Sequence, residues 1–205
     1  MSADAGFDVA ILAGGRSTRM GCDKTLLVFE GRTLLARQVE LAWSLGPQTV
    51  FVVGRTPAEL GELNAHGLPD APPGQGPLGG LATVLAATRS AQVLLLAVDM
   101  PMLTREFLLR LLRECRAGLG VVPRTARGWE PTAAVYPKEL ALDASRAVSE
   151  GRRALHAFVE QQVGRGRLRA WAISTNEEGL FVNWNTPIDL PRGTTGHVHG
   201  DRAPL

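Results

Sequence analysis

Asp8–Lys24, DVAILAGGRSTRMGCDK, is the stretch around which this chain is organised. It begins with the apolar run Val9-Ala10-Ile11-Leu12, the pattern of a buried strand. The run stops at Ala13-Gly14-Gly15. Two glycines after a strand let the backbone turn tightly and let its N–H groups approach a ligand. Arg16, Arg19 and Lys24 follow, with Ser17, Thr18 and Gly21 between them. A tight turn leading into a solvated basic loop would account for the glycines alone. Cations packed behind the turn favour a polyphosphate ligand instead. Two named phosphate motifs do not fit. Asp23 stands where the P-loop pattern G-x-x-x-x-G-K-[ST] needs glycine before Lys24-Thr25, and Gly14-Gly15 lacks the G-x-G-x-x-G spacing of dinucleotide-binding turns.

Outward from this stretch the pattern alternates. Leu34, Leu35, Val39, Ala42 and Leu45 recur at helical spacing, and Gly46-Pro47 stops the helix. Thr49–Val53 is β-branched and reads as a second buried strand, so strand, helix and strand form a βαβ unit with parallel strands. Thr56-Pro57 starts a short helix. A glycine- and proline-rich loop from Asp70 to Gly80 leads into a helix bearing Leu78, Leu81, Leu85 and Ala86, and suits a ligand-facing position. Val93–Val98, VLLLAV, is the most apolar strand and belongs in the centre of a parallel sheet. It runs directly into Asp99-Met100-Pro101. A carboxylate at the carboxyl end of a central strand lies where open α/β sheets bind ligands. Asp99 could instead cap the next helix, but Thr104 is better placed to do so.

The remaining elements are a helix from Thr104 to about Ala117, a strand at Leu119–Val122, a polar turn at Arg124–Glu130 and a returning strand at Pro131–Tyr136. Helices follow over Lys138–Ser149 and Arg152–Gln162, divided by Gly151, then a strand at Leu168–Ser174 and a short helix after Pro187. On this reading Arg152 and Arg153 occupy the first turn of their helix. The dipole disfavours cations there, but an anionic ligand could meet them. The order of elements predicts a single α/β domain over residues 1–192, mostly parallel, and a disordered tail over 193–205.

Composition limits the partners. A net charge of +2 over 205 residues gives no general reason to expect nucleic acid or membrane binding. The N-terminus lacks the pattern of a signal peptide, and no apolar run reaches membrane-spanning length. Cys22 and Cys115 have neither disulfide-framework nor metal spacing and read as reduced thiols of a cytoplasmic protein. His197 and His199 read as part of a solvated tail.

Three segments, LAGGRSTRMGCDK at 12–24, DMP at 99–101 and NWNTPIDL at 183–190, together resemble the molybdenum cofactor guanylyltransferases, the MobA-like nucleotidyltransferases. The resemblance implies a three-layer Rossmann-like fold with helices on both faces of a mostly parallel sheet. It implies that Leu12, Ala13, Gly14, Gly15 and Arg16 wrap the nucleotide, that Lys24 contacts its phosphates with Arg19 nearby, and that Asp70 contacts the nucleotide. Asp99 would hold Mg²⁺. Asn183 and Asn185 would belong to the side receiving molybdopterin, and Arg152 is a further candidate there. The implied substrates are GTP and molybdenum-molybdopterin, the latter handed over by a molybdenum insertion protein to a monomeric enzyme. Ile188 stands where the family usually has an acidic residue, and Gly54-Arg55 where it commonly has asparagine, which puts one nucleotide contact in doubt. Gly14-Gly15 resembles the guanylyl branch; the cytidylyl branch typically reads LAAG. A cytidylyltransferase, or a non-catalytic nucleotide-binding module of the same fold, are the alternatives.

Overall fold

The computed structural model describes residues 6–14, 23–69 and 74–184. The expected C-terminal tail, the short helix after Pro187 and Cys22 lie outside the described residues. The first half of the chain contains strands β1 (Phe7–Leu12), β2 (Val28–Phe29), β3 (Arg32–Thr33), β4 (Val50–Val53) and β5 (His66–Leu68), with helices α1 (Leu34–Ser44) and α2 (Pro57–Leu60). Then come α3 (Gly76–Ala87), β6 (Gln92–Ala97), α4 (Arg105–Arg113), β7 (Gly120–Thr125), β8 (Gly128–Trp129) and β9 (Ala133–Pro137). Helices α5 (Ala141–Ser149) and α6 (Leu155–Gly164) precede the last strand, β10 (Leu168–Ala172).

The main sheet has the order β10-β7-β9-β6-β1-β4-β5, with β8 paired to β7. β1 lies between β4 and β6, parallel to both, with Leu12 opposite Val53 and Ala97. β9 fills the gap between β6 and β7 and is antiparallel to each, as expected of a strand returning from the Arg124–Glu130 turn. β2 and β3 form a separate small hairpin.

Alternation along the strands sends side chains to two cores. Val9, Ile11, Leu94 and Leu96 face one side, where Leu35 and Val39 of α1 and Phe107 and Leu111 of α4 pack. Ala10, Val93 and Leu95 face the other, against Leu81 and Leu85 of α3, Ala144 of α5 and Val159 of α6. Period-two strands buried on both faces by period-3.6 helices make a three-layer fold. Among the described residues no helix is long and apolar enough to cross a membrane.

One expected boundary is corrected. Arg152 and Arg153 do not occupy the first turn of a helix; they precede α6, which starts at Leu155. The cause is the end of α5. Gly151 adopts φ +77°, Arg152 N–H donates to Ala147 O and Gly151 N–H to Val148 O. This cap commits the Arg152 amide backwards to α5. The helix-dipole penalty inferred for these arginines therefore does not arise. The helix capped by Thr104 is also shorter than expected, ending at Arg113.

Tyr136 on β9 is fully buried, and its Oη donates to Pro131 O at 2.7 Å, which ties down the turn ahead of the strand. Tyr136→Phe keeps the packing but leaves that carbonyl without its partner. Urea denaturation is expected to show a loss of about 1–2 kcal/mol; unchanged stability would mean that water replaces the phenol there.

Candidate active site at the carboxyl ends of the strands

The parallel strands β1, β4, β6 and β7 end at one edge of the sheet. The backbone beyond them stays hydrogen-bonded: Ala13 N–H to Val53 O at 2.9 Å, Val98 N–H to Leu12 O at 3.2 Å and Ala97 N–H to Thr132 O at 2.9 Å. Gly14 and Gly54 touch here. Gly54 has φ +88°, and a β-carbon on it would lie 2.4 Å from Gly14 Cα. The backbone at Gly54 thus leaves no room for a side chain.

Lys24 and Asp99 meet at this edge. Lys24 Nζ donates to Asp99 Oδ2 at 2.8 Å, with side chains only 16% and 18% exposed. Lys24 is the first residue of a 3₁₀ turn, Lys24–Leu26, whose N-cap is Asp23. Asp23 Oδ1 accepts from Thr25 N at 3.0 Å and from Thr25 Oγ1 at 2.7 Å. Arg55, at the end of β4, donates through Nη2 to Asp23 Oδ2, and to Thr25 Oγ1 at 3.0 Å. So Arg55 holds Asp23, Asp23 caps the turn, and the turn aims Lys24. Asp23 is the residue that broke the P-loop pattern, and Arg55 belongs to the Gly54-Arg55 pair that departed from the family resemblance. Their visible signal was that departure; their coupling needed the fold.

The turn carrying Asp99 is fixed from two sides. Gln38, buried on α1, donates through Nε2 to Met100 O at 2.8 Å. Trp184 N–H donates to Asp99 O at 2.9 Å, and its ring meets Phe29 edge-on at 4.9 Å. Gln38 was detectable as a polar residue among the apolar positions of its helix. Asn183 is half-buried beside Trp184, so it lies at the Asp99 edge.

Of the other expected site residues, Leu12, Ala13 and Gly14 lie at the end of β1. Gly15, Arg16, Arg19, Asp70 and Asn185 lie outside the described residues. Arg152 is about half exposed and pairs with Glu150. With Arg153, Leu78 and Phe158 it lines a cleft of about 260 Å³. Cys115 is free, and burial pushes its thiol up to about 12, which keeps it protonated and unreactive.

The MobA-like NTP transferase domain matches residues 9–166. The chain belongs to the MobA-like NTP transferase family. It is a nucleotidyltransferase. A protein of Opitutus terrae named "Probable molybdenum cofactor guanylyltransferase" is 37% identical over 192 residues, covering 92% of this chain and 95% of that protein. The molybdenum cofactor guanylyltransferase of Xanthomonas euvesicatoria is 36% identical, covering 89% and 91%. The fold is that of molybdopterin-guanine dinucleotide biosynthesis protein A from Archaeoglobus fulgidus, with a TM-score of 0.70 at 23% identity over 89% of this chain and 94% of that one.

Arg55→Ala should lower nucleotidyl-transfer turnover at least tenfold while leaving the circular dichroism spectrum unchanged. Arg55→Lys should recover only part of the loss, because an ammonium cannot reproduce the two guanidinium contacts. Full activity in the alanine variant would show that Lys24 is aimed without the clamp.

Proposed function

We propose that this chain transfers GMP from GTP to the terminal phosphate of molybdenum-molybdopterin, releasing pyrophosphate and forming the guanine dinucleotide form of the cofactor. The 2.8 Å contact between Lys24 and Asp99 at the ends of the strands carries this reading. It places one ammonium and one carboxylate together at the edge where the glycine turn ends β1. A module that only held a nucleotide would not need a largely buried carboxylate there.

A phosphate oxygen of molybdopterin attacks the α-phosphorus of GTP, and the bond from that phosphorus to the bridging oxygen breaks. Pyrophosphate carries the electron pair away. No protein nucleophile is required, and catalysis is positioning plus charge stabilisation. Lys24 meets the phosphates, and Arg16 and Arg19 on the glycine loop add positive charge toward the leaving pyrophosphate. Asp99 is suited to Mg²⁺: a hard oxygen donor, partly exposed, which can share a cation with substrate phosphates and water. When bound, Mg²⁺ supplies neutralisation of the two anionic reactants. Asn183 and Asn185, with Arg152, serve the acceptor side. The enzyme acts as a cytoplasmic monomer receiving molybdopterin from a molybdenum insertion protein.

The reading is tested by incubating the protein with Mg²⁺, each nucleoside triphosphate and molybdopterin, and measuring pyrophosphate. The glycine pair after β1 lets the loop sit close to a purine, and a site that hydrogen-bonds a base edge rejects the wrong base. GTP should exceed CTP at least tenfold in kcat/KM, about 1.4 kcal/mol. Equal or better use of CTP would make the chain a cytidylyltransferase. Lys24→Ala should reduce turnover at least a hundredfold with Tm nearly unchanged; wild-type turnover would remove Lys24 from the phosphates.

A further inference from the structure

Helix α1 is hydrogen-bonded to both turns that carry the charge pair. At its start, Leu34 N–H donates to Leu27 O at 2.8 Å, and Leu27 N–H donates to Lys24 O at 3.2 Å, closing the 3₁₀ turn. One helical turn later, Gln38 Nε2 donates to Met100 O at 2.8 Å, on the residue next to Asp99. Residues 34 and 38 share a face of the helix and lie about 6 Å apart along its axis. A single rigid element thus links the turn of Lys24 to the turn of Asp99.

Gln38 is only 2% exposed and lies among Leu34, Leu35 and Val39 of one apolar core. Among the described residues its Oε1 is buried and accepts no hydrogen bond. A buried amide with one end unpaired costs stability relative to an apolar side chain of similar size. The Met100 carbonyl has another donor, Leu103 N–H at 3.4 Å. Packing therefore gives no reason for an amide at this position. Its one directed contact, to the residue after Asp99, does.

That contact is one of two that hold the turn beyond β6. Asp99 O accepts from Trp184 N–H at 2.9 Å, and the next carbonyl, Met100 O, accepts from Gln38. Pro101 follows, with no N–H to offer and with a ring that disfavours helical backbone at Met100. Successive carbonyls anchored to different elements fix the orientation of the backbone from which the Asp99 side chain projects. Trp184 ties that backbone to the late chain, whereas Gln38 ties it to the helix that also holds the Lys24 turn.

We propose that Gln38 is a positioning residue that sets the separation of Asp99 from Lys24, and with it the affinity of Asp99 for the divalent cation that it shares with the nucleotide phosphates. Gln38 touches neither cation nor substrate. It acts through the Met100 carbonyl and the rigidity of α1. The orphaned Oε1 marks the residue as one kept for the site at some cost to the fold. The inference rests on the proposed role of Asp99 as the Mg²⁺ carboxylate.

The test is Gln38→Met, which keeps length and volume but removes both the donor and the unpaired acceptor. Mn²⁺, standing in for Mg²⁺, is titrated into protein and GTP without an acceptor substrate, and free Mn²⁺ is read by electron paramagnetic resonance. The Kd for Mn²⁺ should rise about tenfold, the lower end of what supporting residues contribute to a metal site. GTP binding in EDTA should stay within twofold of wild type, and Tm should be unchanged or raised. Gln38→Asn, one methylene too short to reach Met100 O, should lose Mn²⁺ affinity to the same degree. In transfer assays the loss of turnover should shrink as Mg²⁺ is raised. Mn²⁺ affinity within twofold of wild type in Gln38→Met overturns the assignment. So does an equal loss of GTP binding in EDTA or a lowered Tm, either of which makes Gln38 a core residue only. Asp99→Ala separates the two readings. Wild-type Mn²⁺ affinity in that variant overturns the metal role of Asp99 itself, whereas a loss there beside an unaffected Gln38→Met overturns only the role of Gln38.

Discussion

Two opposite charges at the end of the sheet, each more than four-fifths removed from solvent, set the terms for everything around them. Neither Lys24 nor Asp99 can be held in that position unless a partner offsets the desolvation of both. They are 75 residues apart in sequence, so only the fold can unite them. β6 must lie beside β1 to deliver Asp99 to the mouth of the glycine turn. The 3₁₀ turn must stand over that mouth to deliver Lys24, and it is capped and clamped to do so. A charge pair that the fold must bring together is also a pair that incoming phosphates and a cation can exchange with. Under the proposed function the same contact serves the resting protein and its chemistry.

The sequence carried much of this, because long-range order here is built from strong local signals. VLLLAV is apolar on both faces, so its central place was legible, as was the exit into Asp99. The returning strand at Pro131–Tyr136 was legible from the turn before it and is antiparallel, as read. Short elements were less visible. His66-Gly67-Leu68 has no periodicity and becomes a strand only because β4 offers it an edge. The Val28–Phe29 hairpin is two residues per strand, below the length at which alternation can be recognised.

Within the site, motif residues were readable and their supports were not. Asp23 looked like an interruption of a phosphate motif. Its role as the cap of Lys24 depends on Arg55, which arrives from another strand. The start of α6 was misplaced because Arg152 and Arg153 do not break helices by propensity; the cap of the preceding helix captures the Arg152 amide instead.

The bond from Trp184 to the Asp99 carbonyl has a consequence for how the protein is made. The ring of Trp184 also packs on Phe29 of the first hairpin, so the last described stretch of chain touches both the central strand and the region just after Lys24. A growing polypeptide presents the glycine turn, Lys24 and Asp99 long before Trp184 emerges from the ribosome. Contacts of such large sequence separation form late, since the chain must close its longest loop to make them. The nascent protein therefore carries the charges of the site without the support that Trp184 gives the Asp99 backbone, and that support is added only once residue 184 has left the ribosome.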